Sequence, residues 1–319
     1  MSLSTALRLL THGEGSSYRR LRAWWEGRSY QGGQAAPAVM ASFLAPALAS
    51  APVDLSNPWS PARLRLLAEL WGEGFTSPGG ETFAIELVKP VALNSAMSVL
   101  NLDAHLDAVA RAVANSYQMW VNAFESNETL AHLGMKMSED AGFAKRAPVE
   151  RCDHEALGER LKRDRRLYDC IFSKEGFYRI ADKDRLFAAI CEGLKGNGQL
   201  IFTDYVLQES GVAPPEVTAW LEAEGNVPPL WSIAQVIECL NRFELDIRIT
   251  EDMTQRYQQM VLEGWRAYVA RMLRQKPEPA MLRAVLRELE IWVRRMLALD
   301  RGGLRVYRVH AIKPESLKF

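Results

Sequence analysis

The sequence lacks an excess charge of either sign. Its 39 Lys and Arg residues balance 39 Asp and Glu over 319 residues, so the formal net charge is zero. Nucleic-acid binders normally carry a basic excess on the binding domain, and that class loses its simplest support. Cysteine is scarce. Cys152, Cys170, Cys191 and Cys239 are widely spaced and form no C-x-x-C pair, which excludes a disulfide framework and a zinc ribbon. They read as reduced thiols of a cytoplasmic protein. Met1–Leu10 is too short and too polar for the apolar core of a signal peptide. Only Ser29–Val53 lacks charge over a spanning length. It is interrupted by Pro37, Pro46 and Pro52 and owes its apolar content mostly to Ala, so a membrane span is not expected. No G-x-S-x-G, P-loop or internal repeat occurs, which leaves hydrolase, nucleotide triphosphatase and solenoid readings without support.

What is present is ordinary globular material, 48% hydrophobic and 24% charged, enough for one large domain or two smaller ones. Residues 1–60 differ in texture. Arg19, Arg20 and Arg22 lie beside the pair Trp24 and Trp25, and an Ala/Pro stretch follows. This segment is expected to be a helical cap on the main domain or a docking arm, since Arg and Trp are enriched at interfaces. Contact with an anionic membrane surface ranks behind protein association or self-association, because the apolar content is poor in Leu and Phe. Ser60-Pro61 then starts a helix over Pro61–Trp71, and the glycines and proline of residues 72–80 read as a loop.

From residue 81 strands and helices alternate. Strands are expected at Met97–Leu102, Met119–Glu125, Val149–Asp153, Tyr168–Ser173, Gln199–Tyr205, Leu245–Thr250 and Leu304–Ala311. Helices are expected at Leu106–Asn115, Glu128–Ala141, Lys183–Leu194, Ser232–Phe243, Thr254–Leu273 and Pro279–Leu299. Leu157–Arg166 reads as charged helix or loop, and Lys195–Gly198 as a turn. Such alternation implies an α/β fold, a mostly parallel sheet with helices on both faces, with ligands at the carboxyl ends of its strands.

Over residues 70–313 these landmarks resemble a class I S-adenosylmethionine-dependent methyltransferase, in particular the phosphoethanolamine and other small-molecule N-methyltransferases. Leu70–Gly80 resembles the lead-in, and Ser98–Asp107 sits where the glycine-rich first motif belongs. Glu125 ends the second strand and Asp153 the third, where the family places acids for the ribose hydroxyls and the adenine amine. Tyr168–Ser173, Gly198–Tyr205 and Val306–Pro314 match the fourth, fifth and last strands. The resemblance implies a Rossmann-like sheet of seven strands over residues 61–319, with residues 254–300 as a helical cover before the last strand and residues 1–60 as a helical cap. If the protein is active, it further implies S-adenosylmethionine as cofactor, with Glu125, Asp153 and Ser173 on its adenosine half and Glu175, Tyr178 and Tyr205 at the substrate.

The departures lie in that first motif. The family pattern is an acid followed by alternating glycines, which give backbone freedom and leave room for the cofactor. Here the acid is Asn101, and the glycine positions are Asp103, His105 and Asp107. Two of them add negative charge where the cofactor's own carboxylate would sit at a helix N-terminus. After the fourth strand, where relatives often carry histidine, stand Tyr178 and Arg179, and a guanidinium is no base at neutral pH. The D-x-H-x-D run from Asp103 to Asp107 is a weak metal signal, and no metal site is expected. Two functions stay open: a pseudo-methyltransferase that has lost its cofactor and acts by protein binding, and an active methyltransferase for a small amine or phosphobase. Tyr178 and Tyr205 equally fit plain packing.

Overall fold

The computed structural model describes residues 58–225, 227–272, 278–301 and 303–315. The segment carrying Arg19, Arg20, Arg22, Trp24 and Trp25 lies outside the described residues, as does nearly all of the expected N-terminal cap. Helix α1 spans Pro61–Trp71; Ser60 caps it by accepting from the Arg63 amide, Pro61 opens it, and Gly72 at φ 102° ends it. Helix α2, Gly80–Val88, follows. Strand β1 (Val99–Leu102), helix α3 (Ala108–Ser116), β2 (Val121–Glu125), α4 (Glu128–Asp140) and β3 (Val149–Arg151) then alternate. They are succeeded by α5 (Leu157–Asp164), β4 (Tyr168–Lys174), α6 (Lys183–Gly193), β5 (Leu194–Leu207), α7 (Pro215–Glu224) and α8 (Ile233–Arg242). The chain closes with β6 (Asp246–Asp252), α9 (Thr254–Met272), α10 (Pro279–Asp300) and β7 (Leu304–Ile312).

The seven strands form one sheet in the order β3-β2-β1-β4-β5-β7-β6. Strands β1 to β5 run parallel, and β7 is antiparallel to both β5 and β6. Strand order reverses between β1 and β4, so the crevice for a ligand opens at their carboxyl ends. Alternate residues of the central strands feed opposite faces, as the two-residue period of a strand requires. Val99, Val121, Cys170 and Phe172 pack with α2, α3 and α4, whereas Leu100, Leu102, Ile171 and Phe202 pack with α5, α6 and α8. A third apolar cluster joins α1, α7, α9 and α10 to Tyr178 and Tyr205. It covers the end of the sheet where β4 and β5 finish.

Two local expectations are corrected, and one helix is added. Lys195–Gly198 is not a separate turn: β5 begins at Leu194 and its register against β4 slips between Tyr168 and Cys170, which absorbs the glycines. Helix α2 starts within the glycine-rich loop because Gly79 and Gly80 take φ 99° and 53°, turning the chain into it. Helix α7 follows Pro214, with Pro215 as its first residue, where proline costs nothing. Among the described residues no helix is long and apolar enough to cross a membrane.

Candidate functional site

The loop after β1 keeps the backbone of a glycine motif without the glycines. Asp103, His105 and Asp107 have φ of 55°, 51° and 59°. Asp and His are among the few non-glycine residues that tolerate this left-handed region. The left-handed conformation is thus present without the glycines, and what their replacement changes is the space above the loop. Asp103 is buried, its carboxylate fitted into the room left by Gly176. A Cβ on that glycine would stand 2.5 Å from the Asp103 carboxylate and 2.8 Å from Ser173 Oγ. Asp107 is also buried and accepts a hydrogen bond from Asn101 Nδ2 at 2.8 Å. The remaining oxygens, Asp103 Oδ2 and Asp107 Oδ2, lack hydrogen-bond partners, as does Ser173 Oγ.

The electrostatics differ from the two free carboxylates the sequence implied. Burial dominates at Asp107 and pushes it up to about 8, against the Asn101 bond and the Arg111 charge, so it is mostly protonated at neutral pH. Asp103 is desolvated too. Yet the imidazole of His154, 3.4 Å away, helped by His105 and Arg179, holds it below the ordinary carboxylate range. His154 is in turn raised: burial opposes its charge, and Asp103 outweighs burial. The expected conflict of two charges becomes one, and that one is paired.

Glu125 ends β2 as the resemblance requires. One of its oxygens accepts from the His105 amide at 2.6 Å and the other from the Asn127 amide at 2.7 Å, so it ties the loop to β2. Burial, reinforced by Asp103, raises its carboxyl. Asp153 turns away: its side chain is 60% exposed and pairs with Arg151. Asp103, His105 and Asn101 line a cavity with Thr76, Ser77 and Lys174, and its volume is about 20 Å³, room for a single water. The lead-in loop closes it from above, held by a hydrogen bond from Lys174 Nζ to Ser77 Oγ. Trp59 meets His105 edge-on, with ring centroids 6.2 Å apart.

Past β4, Glu175 is buried, accepting from Lys174 Nζ at 2.7 Å and from Thr203 Oγ1 at 3.0 Å. Burial lowers Lys174, and Glu175 partly restores it. Tyr178 and Tyr205 stand edge to face, 5.0 Å between centroids, within the aromatic cluster. The Tyr178 hydroxyl donates to Glu224, and Tyr205 shares a 2.5 Å hydrogen bond with Tyr257. Burial raises both phenols. Among the described residues no three His, Cys, Asp or Glu side chains converge on a metal position.

No family model and no curated protein matches the chain. Solved structures do. A phosphoethanolamine N-methyltransferase 2 from Haemonchus contortus, in complex with phosphomonomethylethanolamine and S-adenosylhomocysteine, superposes with TM-score 0.66 at 18% identity over 79% of this chain. The match covers only 57% of that protein. A protein from Galdieria sulphuraria assigned as a sarcosine dimethylglycine methyltransferase gives TM-score 0.65 at 15% identity, covering 80% of this chain and 99% of its own. The [4+2]-cyclase SpnF gives 0.62 at 15% identity, covering 80% and 94%. The fold is that of the class I S-adenosylmethionine-dependent methyltransferases.

Within this methyltransferase-like fold the structure brings Asn101, Asp103, His105, Asp107, Glu125 and Ser173 together at one crevice and leaves Asp153 at the surface. Glu175, Tyr178 and Tyr205 gather at the ends of β4 and β5. Sequence reasoning missed His154, one of several scattered histidines, and Lys174, one residue beyond the expected end of β4. Glu224 and Arg295, which complete the aromatic cluster, carried no motif at all.

Proposed function

We propose that this chain is a pseudo-methyltransferase: it keeps the fold, does not bind S-adenosylmethionine, and acts by associating with protein. The observation that carries the reading is the filled loop. Pockets that hold molecules of cofactor size run to about 300–1,000 Å³, and the crevice at Asp103 and His105 retains about 20 Å³. The residues do not fit the cofactor. The Asp103 side chain takes the place a glycine would leave open, both Glu125 oxygens already accept backbone amides, and Asp153 pairs outward with Arg151. Methylation also needs a place for substrate, and Tyr178 and Tyr205 are engaged with Glu224, Tyr257 and Arg295.

A second reading has one observation in its favour. The three left-handed residues preserve the loop conformation, so an opened lead-in would present a motif-like backbone to a cofactor. In that case Glu125, Asp153 and Ser173 would hold the adenosine half, and Glu175 with Tyr205 the small amine or phosphobase. The fold does not choose, since it hosts a cyclase as well as methyltransferases. Calorimetric titration of the full chain with S-adenosylmethionine and S-adenosylhomocysteine decides. Absence of a binding heat is expected, and micromolar binding would overturn the pseudoenzyme. In the protein-binding reading Arg19, Arg20, Arg22, Trp24 and Trp25 supply the contacts.

A further inference from the structure

The interior of the helical cover holds a charge that the methyltransferase-like site does not explain. Arg295 on α10 is buried, its side chain 8% exposed. Its guanidinium carbon lies 4.2 Å from the centroid of the Trp292 ring, 5.0 Å from that of Tyr205 and 5.2 Å from that of Trp220. One terminal nitrogen donates to the Tyr205 hydroxyl at 3.1 Å, the other to Glu224 at 2.6 Å, and Nε has no partner. Tyr257 continues the enclosure, stacking on Trp292 and bonded to Tyr205. Glu224 also accepts from Trp220 Nε1 at 2.9 Å and from Arg179.

This is the composition of a cation receptor rather than of an apolar core. Aromatic faces carry negative potential and attract a desolvated cation, and one carboxylate supplies the counter-charge. Its parts come from β5, α7, α9 and α10, at the carboxyl end of β5, where open α/β sheets place ligands. A core needing only to be filled would use hydrocarbon, because a buried ion pair is often no more stable than an apolar replacement.

We propose that this enclosure is a recognition site for an organic cation, an ammonium or guanidinium group, and that the chain occupies it with its own Arg295. The resident guanidinium keeps cationic amines out, and truncating it opens the site to them. The proposal does not depend on whether the crevice at Asp103 binds a cofactor, but it shares Tyr205 with the substrate side of the candidate site.

Thermal unfolding of full-length Arg295→Ala tests it, with methylguanidinium as probe and N-methylurea, its neutral counterpart, as control. The expected result is a saturable rise of about 3 °C or more in the variant's Tm at ~10 mM methylguanidinium. N-methylurea, and methylguanidinium on the wild type, should give none. Equal responses to probe and control would overturn the site. Should Arg295→Ala fail to fold, Arg295→Lys and Arg295→Met are compared in a Glu224→Gln background, where the counter-charge is gone and the rings alone remain. A higher Tm for the Lys variant supports cation recognition; an equal or higher Tm for Met overturns it.

Discussion

A carboxyl group with no water around it is stable only when it keeps its proton, and Asp107 is such a group. Its value rises from 3.8 to about 8 on folding, chiefly through burial. The native state therefore binds a proton that the unfolded chain has released, and between these limits stability falls as pH rises, by up to roughly 1.4 kcal/mol per pH unit. Asp107→Asn removes the ionisation, keeps an acceptor for Asn101 Nδ2, and suits φ 59°. Urea unfolding from pH 5 to 8 should show a shallower decline for the variant than for the wild type, with the variant the more stable at pH 8. An unchanged slope would mean that Asp107 ionises freely. Gly176 invites a second test. A Cβ there would stand 2.5 Å from the Asp103 carboxylate, so Gly176→Ala should destabilise by about 1–3 kcal/mol, as overpacking does, measured by the same unfolding.

At the level of elements, two loops share control of the crevice, the one after β1 and the lead-in over residues 72–79. If the first decides access, Asp103→Gly, His105→Gly and Asp107→Gly together should recover a binding heat for S-adenosylhomocysteine by calorimetry where the wild type gives none. They empty the space and remove left-handed strain. A folded triple variant that still ignores the ligand assigns closure to the lead-in. The place of this motif was legible in sequence because strand and helix flank it at the expected spacing. Its physical state was not. The pairing of Asp103 with His154 joins residues from the ends of two strands, and nothing local to either residue signals it. The same holds for Lys174, whose hydrogen bond to Ser77 crosses from β4 to a loop nearly a hundred residues earlier. Glycines also misled: those at 79 and 80 start a helix and those at 196 and 198 lie inside a strand, because tertiary pairing overrides local turn chemistry.

For the whole molecule, seven strands and the order of their landmarks were readable because each strand repeats a simple pattern and the helices between them are strongly periodic. The cation enclosure was invisible for the opposite reason: Tyr205, Glu224 and Arg295 meet only once β5, α7 and α10 are stacked. If the crevice holds neither cofactor nor substrate, as proposed above, the surface becomes the means of acting, which directs attention to residues 1–57. Trp59, which follows that segment in the sequence, rests against His105 at the crevice, and Arg63 lies 4.8 Å over the Trp59 ring. Trp and Arg are the residue types that dominate binding hot spots, and Trp24, Trp25, Arg19, Arg20 and Arg22 concentrate them. Deleting residues 1–35 should leave the cooperative unfolding transition in place and abolish self-association, or capture of a defined protein partner, by sedimentation and pull-down. Trp24→Ala with Trp25→Ala in the full chain should reproduce the loss, because removing two large apolar side chains from an interface centre costs about 2–4 kcal/mol or more. A deletion that precipitates, beside a double variant that associates like the wild type, would return the segment to the role of a cap on the core.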